Sequence, residues 1–488
     1  MNPSGVVPVI AGTGQVANKE EDRIVHPMEL LEVASRTALD AAGIAPEDVQ
    51  AILSTPLSAL VRQDHTQVLA ERLGAGSGAR VVSRYSGAAP QALLLRACRL
   101  IAEGQADVAL VVGGIADASI RRARRRGLVP PAPPTSSWSQ GSDRPADLPD
   151  RSWAGGPQAE IAAGAGQPPA YFALVQSVMG GGRPMAEQQA ELGALMAPFT
   201  QVAARRPELA WFPAGRRAEE IARAGADNRL VAEPFTKRMC SFPTVDLAAA
   251  LVVTADPGGR RPAIRPLAIT TSREVGPPTT WPSMDRPPAL SVAVEEAARL
   301  AGLGPAEVDA FDLYSCFPAA VLLGRQALGV QPDDPRPLTA SGGLPYFGGP
   351  GASYGLHGLA CLFEDMLAGR AESGLSVGIG GFVTDFSVGI YGLDGGPVQL
   401  AGMPRPEAPG MAVAERAEGR AVVEAMTVLH ERHAGAVAAP VIARLPDGRR
   451  VGARCADPDL PAELSGRSLI GREVELSAGP AWSEYRLT

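Results

Sequence analysis

Seven of the fourteen residues from Ser341 to Tyr354 are glycine or proline, and an apolar run from Gly355 to Leu367 follows. This composition reads as a rigid loop feeding the start of a helix. Glycine lets backbone N–H groups approach a ligand closely, because no Cβ stands in the way. A helix start also favours negative charge, including charge that develops during a reaction. Ser341, Gly342, Gly343, Gly348 and Gly349 are therefore candidate ligand-contacting positions. His357 lies eight residues beyond Gly349 within the helical run, where its ring can point back towards a pocket at the loop.

Other chemistries lack support. The chain has five cysteines and five histidines, but no pair of cysteines has C-x-x-C spacing and the histidines do not cluster with them. A structural zinc site is not expected. Lys19 and Lys237 are the only lysines, which argues against Schiff-base catalysis. A net charge of −7 gives no global support for nucleic-acid binding. No apolar run reaches membrane length, and the N-terminal residues lack the form of a signal peptide, so a cytoplasmic protein with no membrane partner is expected.

The elements that must position the loop follow a rhythm of helix and strand. Pro27 to Ala42 reads as a helix with Pro27 in its first turn and Gly43 just beyond its end. Short strands are expected at Val6–Ile10, Ala51–Ser54 and Ala79–Val82, and a helix from Ser86 to Ala102. Asp107 to Val112 is apolar without alternation, which suits a strand buried on both faces. The stretch 117–235 interrupts this pattern. Its run Arg121, Arg122, Arg124, Arg125 and Arg126 reads as a solvated helix face, with a phosphate clamp as the alternative.

A second half repeats the first. Ala42-Gly43-Ile44-Ala45-Pro46 through Ala51 corresponds to Ala301-Gly302-Leu303-Gly304-Pro305 through Ala310, at a constant offset. The helix and strand ending at Gly104 and Gly113-Gly114 likewise match those ending at Gly369 and Gly380-Gly381. Such repetition indicates a duplicated α/β domain. After a proline-rich linker, alternating runs and the turn Pro446-Asp447-Gly448 predict a small antiparallel β-barrel. The expected domains are an N-terminal half over 1–256 with the insertion at about 117–235, a C-terminal half over 257–397, and the barrel over 405–488.

The duplicated halves resemble those of thiolases. Gly342-Gly343, four residues, then Gly348-Gly349-Pro350 resembles the thiolase loop that carries a catalytic histidine. Tyr314-Ser315-Cys316-Phe317 resembles the Asn-Glu-Ala-Phe motif and its His-Asp-Cys-Phe variant, and Gly378-Ile379-Gly380-Gly381 resembles Cys-x-Gly-Gly. The phrase from Ala224 to Lys237, with the β-rich tail, is similar to the thiolase-like proteins of type 1 related to the sterol-carrier-type thiolases. The implied architecture is a layered α-β-α-β-α duplicated thiolase fold with an inserted loop domain, plus the C-terminal barrel.

The resemblance implies an acetyl-CoA acetyltransferase type of protein that binds acyl-CoA or another thioester, without a further cofactor, as a monomer or homodimer. It also exposes departures. Ser86 or Gly87 stands at the nucleophile position, Gly349 at the histidine and Gly378 at the second cysteine. Ordinary thiolysis or Claisen condensation is therefore not expected. The backbone amides at the Ser86–Gly87 helix start and at Gly380, with Gly381 beside it, remain as an implied oxyanion hole. Two alternatives follow. One is an acyltransferase using Cys316 and His357, or Ser86 as nucleophile. The other is a non-catalytic scaffold or partner-binding subunit.

Overall fold

The computed structural model describes residues 6–57, 65–131, 158–255, 263–393, 399–400 and 410–488. Residues 132–157 of the insertion lie outside the described residues. So does most of the linker before the tail.

The duplication is visible strand by strand. One sheet runs Pro8–Ala17, Asp246–Ala255, Val108–Ala116, Ala51–Ser54 and Ala79–Val82. The other runs Gln399–Leu400, Arg265–Arg273, Asp385–Gly392, Ser373–Gly380 and Ala310–Leu313. In each, two successive antiparallel pairings are followed by a parallel one. The helices Pro27–Ala42 and Pro288–Ala301 end at Gly43 and Gly302, with φ of 65° and 64°. Both glycines adopt the left-handed conformation that a Cβ would disfavour, which is why the sequence repeat is sharpest there.

Two helices form the middle layer. Ala89–Ala102 and Tyr354–Leu367 pack on each other and on strands of both sheets. Both are buried on nearly every side. Helices so apolar all round belong inside a fold rather than on its surface. Pro27–Ala42 covers the first sheet and Pro288–Ala301 the second, each through one apolar stripe.

Several expected boundaries move. The first strand spans Pro8–Ala17 rather than Val6–Ile10, because it pairs along its whole length with Asp246–Ala255. The helix after Ser86 begins at Ala89. The arginine run is divided. Arg122 turns inward and pairs with the fully buried Asp246 at 2.8 Å, while Arg121, Arg124 and Arg125 stay exposed. Asn18 and Ser119 complete the hydrogen bonds of that carboxylate.

The tail forms a closed ring of five strands. Arg450–Cys455, Val441–Arg444, Gly419–Met426, Glu473–Ala478 and Ser483–Leu487 pair in turn, and Ser483–Leu487 returns to Arg450–Cys455. That closing pair is parallel, so the ring is not wholly antiparallel. The hairpin Leu429–Glu431 and Gly435–Ala438 leaves the ring. It joins Leu230–Ala232 and Phe235–Thr236 of the insertion in a four-stranded sheet. Glu233 anchors this junction. Its carboxylate accepts from Ser465 Oγ at 2.6 Å and Gly466 N at 2.9 Å, and lies 2.8 Å from His430 Nε2.

Candidate active site

The cleft is assembled where the two halves meet. Ser86 and Gly87 precede the central helix Ala89–Ala102, and Gly380 closes the strand Ser373–Gly380. They are brought into contact: a Cβ on Gly380 would lie 2.0 Å from Ser86 Oγ and 2.6 Å from Gly87 N. Only glycine permits that approach. Among the described residues, the Gly87 amide donates to no other group. An unused amide at a helix start, facing a glycine strand end, is the geometry of a site for developing negative charge.

Ser86 has a partner that sequence reasoning did not find. Its hydroxyl donates to Asp385 Oδ2 at 3.2 Å and accepts weakly from Ala88 N at 3.3 Å. Asp385 opens the strand that returns from Gly380, and Arg273 Nε lies 3.2 Å from its other oxygen. Burial raises the Asp385 carboxyl above its ordinary range, against the pull of Arg273, Ser86 and Arg84. The turn between Gly380 and Asp385 holds Gly381 at φ 61° and Val383 at φ 60°. A β-branched residue in that region is strained, so the surrounding structure must hold the turn in place.

The places where the resemblance expects catalytic side chains are Ser86 or Gly87, Gly349 and Gly378, and each of these glycines is crowded by a neighbour. A Cβ on Gly87 would meet the Ile379 carbonyl at 2.1 Å and the Tyr314 ring at 2.6 Å. On Gly349 it would meet Ser241 Oγ at 2.2 Å, and on Gly378 Ser387 Oγ at 2.4 Å. Tyr314 stands edge-on to Tyr354, whose hydroxyl lies 2.8 Å from Ser341 Oγ. Tyr171 hydrogen-bonds to the Gly381 carbonyl at 3.3 Å. Tyr314 and Tyr171 thus stand beside the contact.

The fold and its tail agree with known proteins. Residues 405–479 match the family described as the thiolase-like protein type 1 additional C-terminal domain. The whole chain is similar to a monomeric SCP2-thiolase-like protein type 1 from Mycobacterium smegmatis, with TM-score 0.82, 26% identity and 99% of each chain covered. The chain has the architecture of a thiolase-like protein of type 1. It consists of the mixed α/β thiolase-like fold followed by a closed five-stranded barrel. Two further structures show the fold alone, each at 18% identity. An Ltp2–ChsH2(DUF35) aldolase matches with TM-score 0.57 over 79% of this chain and 97% of its own. An acetyl-CoA acetyltransferase from Syntrophomonas wolfei matches with TM-score 0.56 over 80% of this chain and 99% of its own. No curated protein sequence matches the chain.

Within this thiolase-like cleft the remaining candidates are distributed unevenly. The loop glycines Gly342, Gly343 and Gly348 have φ of 107°, 81° and 121°, so glycine is required for the loop's shape. Three loop amides are already bonded within the protein: Gly342 to Thr339 Oγ1, Gly343 to Ser341 Oγ and Gly349 to the Phe242 carbonyl. Cys316 is buried, and burial holds its thiol well above the ordinary range. Its carbonyl accepts from Ser241 N at 2.8 Å.

His357 faces elsewhere. Its Nδ1 meets Gln15 Oε1 at 2.8 Å, and Gln15 in turn donates to Glu364. Burial pushes the ring's pKa down to about 3, so it is neutral at ordinary pH. Its Nε2 is buried without a hydrogen-bond partner, and its ring packs on Phe347. No hydrogen bond joins Cys316 and His357 among the described residues. The structure therefore groups Ser86, Gly87, Gly380 and Gly381 with Asp385, and gives Cys316 and His357 separate surroundings. Among the described residues no group of three or more His, Cys, Asp or Glu side chains is placed to hold a metal, and no helix is long and apolar enough to cross a membrane.

Proposed function

We propose that this chain binds acyl-CoA or a similar thioester at the Ser86–Gly87 and Gly380 contact, and that it has lost ordinary thiolysis. The observation that carries this reading is the contact itself. The glycine strand end lies against a free helix-start amide, as a site that polarises a thioester carbonyl needs. Loss of the standard reaction is supported by serine or glycine at the nucleophile place and glycine at the other two, with the side-chain space of Gly87, Gly349 and Gly378 taken. A histidine at Gly349 or a cysteine at Gly378 has no room without movement of Ser241 or Ser387.

An acyltransferase built on Cys316 and His357 has less support, because the thiol is held protonated and the imidazole is bonded to Gln15. A cytoplasmic setting and the absence of a further cofactor belong to the same proposal. Its test is calorimetric titration of the full chain with acetyl-CoA and with a thioether analogue that cannot react. Saturable binding at millimolar concentration or below is expected. Absence of any heat at that level sinks the reading, as does binding that is unchanged in Gly380→Val.

A further inference from the structure

We propose that Ser86 and Asp385 form a nucleophile–base pair that takes the acyl group from a thioester onto the serine hydroxyl. This inference rests on the thioester-binding reading above. Four observations converge on it. Ser86 Oγ donates to Asp385 Oδ2 at 3.2 Å, so the proton already points at its acceptor. The same hydroxyl lies against Gly380 and next to the free Gly87 amide, where a carbonyl oxygen would gain charge. Asp385 is held by a turn whose Val383 is kept at φ 60° while fully buried, a strained conformation of the kind retained at working sites. Finally, Ser86 is buried, whereas the side chains of Asp385 and Arg273 keep 21% and 24% exposure, so the base is nearer to solvent than the hydroxyl it serves.

A serine hydroxyl is a weak nucleophile alone and needs a base within hydrogen-bond reach. Asp385 meets that requirement, and its burial makes the carboxylate a stronger base than an exposed one. The step balances as follows. Ser86 Oγ bonds to the thioester carbon while its proton passes to Asp385. The carbonyl oxygen becomes an oxyanion beside the Gly87 amide. The C–S bond breaks, and the departing sulfur takes the proton from Asp385 and leaves as free CoA thiol. Water then attacks the acyl-serine with Asp385 accepting its proton. The Ser86 O–C bond breaks, the serine recovers a proton, and a carboxylic acid is released. The net reaction is thioester hydrolysis. A hydroxyl or amine acceptor in place of water would make it acyl transfer.

The experiment uses the full chain with carbonyl-labelled acetyl-CoA. Label on the Ser86 peptide is followed by mass spectrometry, and free CoA and acetate by chromatography. Wild type is expected to give acetyl-Ser86 or equal amounts of CoA and acetate. Asp385→Asn should slow either signal roughly 100-fold, the usual scale for a lost general base. Ser86→Ala should abolish it. Should that variant fail to fold, Ser86→Cys should move the label to a hydroxylamine-labile thioester at the same position. Label that survives Ser86→Ala, stays hydroxylamine-stable in Ser86→Cys, or disappears in Cys316→Ser overturns the pair. The thioether analogue separates the two levels. Binding without label or turnover overturns the pair and leaves thioester binding standing, whereas no binding overturns both.

Discussion

The cleft and the seam under the barrel are both built from residues far apart in sequence, yet they are made in opposite ways. The seam is rich in charged side chains. Arg450, 3% exposed, donates to the carbonyls of Thr279, Trp281 and Pro282 and to Glu424. Glu160 is buried against Thr279, and Glu233 is held by His430, Ser465 and Gly466. The candidate site relies on backbone approach, with glycines at the contact and one partly buried carboxylate beside them. A seam must hold two bodies in one arrangement, and directional ionic hydrogen bonds do that. A site that polarises a carbonyl can do so with amides, which need no particular side chain. This chain thus keeps a close backbone contact at Ser86–Gly87 and Gly380 without the cysteine and histidine side chains that the resemblance expects.

The largest effect that would test this contrast lies in the seam. Arg450→Met leaves the carbonyls of Thr279, Trp281 and Pro282 without this donor and Glu424 with Arg444 alone, and breaking a buried ionic network of this kind costs about 3–5 kcal/mol. Urea denaturation should show that loss, and hydrogen exchange should place the first opening at the strand Arg450–Cys455. A loss below about 1 kcal/mol would put this arginine in the class of surface pairs and remove the contrast.

Next comes an attempt to refill the cleft. Gly349→His should destabilise by about 1–3 kcal/mol, the usual cost of overpacking, because its Cβ would strike Ser241 Oγ. Adding Ser241→Gly should recover part of that stability. Thiolysis, assayed with acetoacetyl-CoA and CoA, should stay absent in both, since the nucleophile place is still not cysteine. A well-folded single variant would show that the space is not closed.

Two acid titrations differ in sign and separate the regions more finely. Burial raises Glu160 from 4.5 to about 7 in the folded chain. The unfolded chain therefore loses its proton first as pH rises. The contribution of this acid is complete below about 4.5 and is lost between there and about 7. Burial lowers His357 from 6.5 to about 3. The unfolded chain gains a proton first as pH falls, so that contribution is complete above 6.5 and is lost on the way down to about 3. Each slope is at most about 1.4 kcal/mol per pH unit. Stability against pH in Glu160→Gln and His357→Gln should lose the two slopes separately. Identical curves for the two variants would contradict these buried states.

The smallest effect is expected at the surface. Asp22→Asn removes the partner of Arg126, which sits at 2.9 Å but in solvent. Its stability should fall by no more than about 0.5 kcal/mol in urea denaturation. A larger loss would mean that the exposed part of the arginine run is structural too.

Much of this architecture was legible from residue order. Helical spacing, glycine stops and buried-strand runs are local signals, and the repeat around Gly43 and Gly302 marked the duplication because both helices end in the same left-handed turn. The alternating runs of the tail marked it as a barrel. The departure of the hairpin Leu429–Ala438 was not legible, because pairing with Ala232 depends on a partner in a different domain. His357 had the right residue type near the loop, but the fold points its ring at Gln15.

By itself the sequence determined that two similar helix–strand halves carry a β-rich tail, and that glycine or serine occupies every standard catalytic place. Those facts depend on residue identity and short-range spacing. Only the tertiary structure decided that Asp385 reaches Ser86 across 299 positions, that Ser241, Ser387 and Tyr314 close the glycine sites, and that Arg450 and Glu233 fasten the barrel. Such contacts form when strands of one half pack against helices of the other. Their distances follow from layer packing, which no local pattern in the chain encodes.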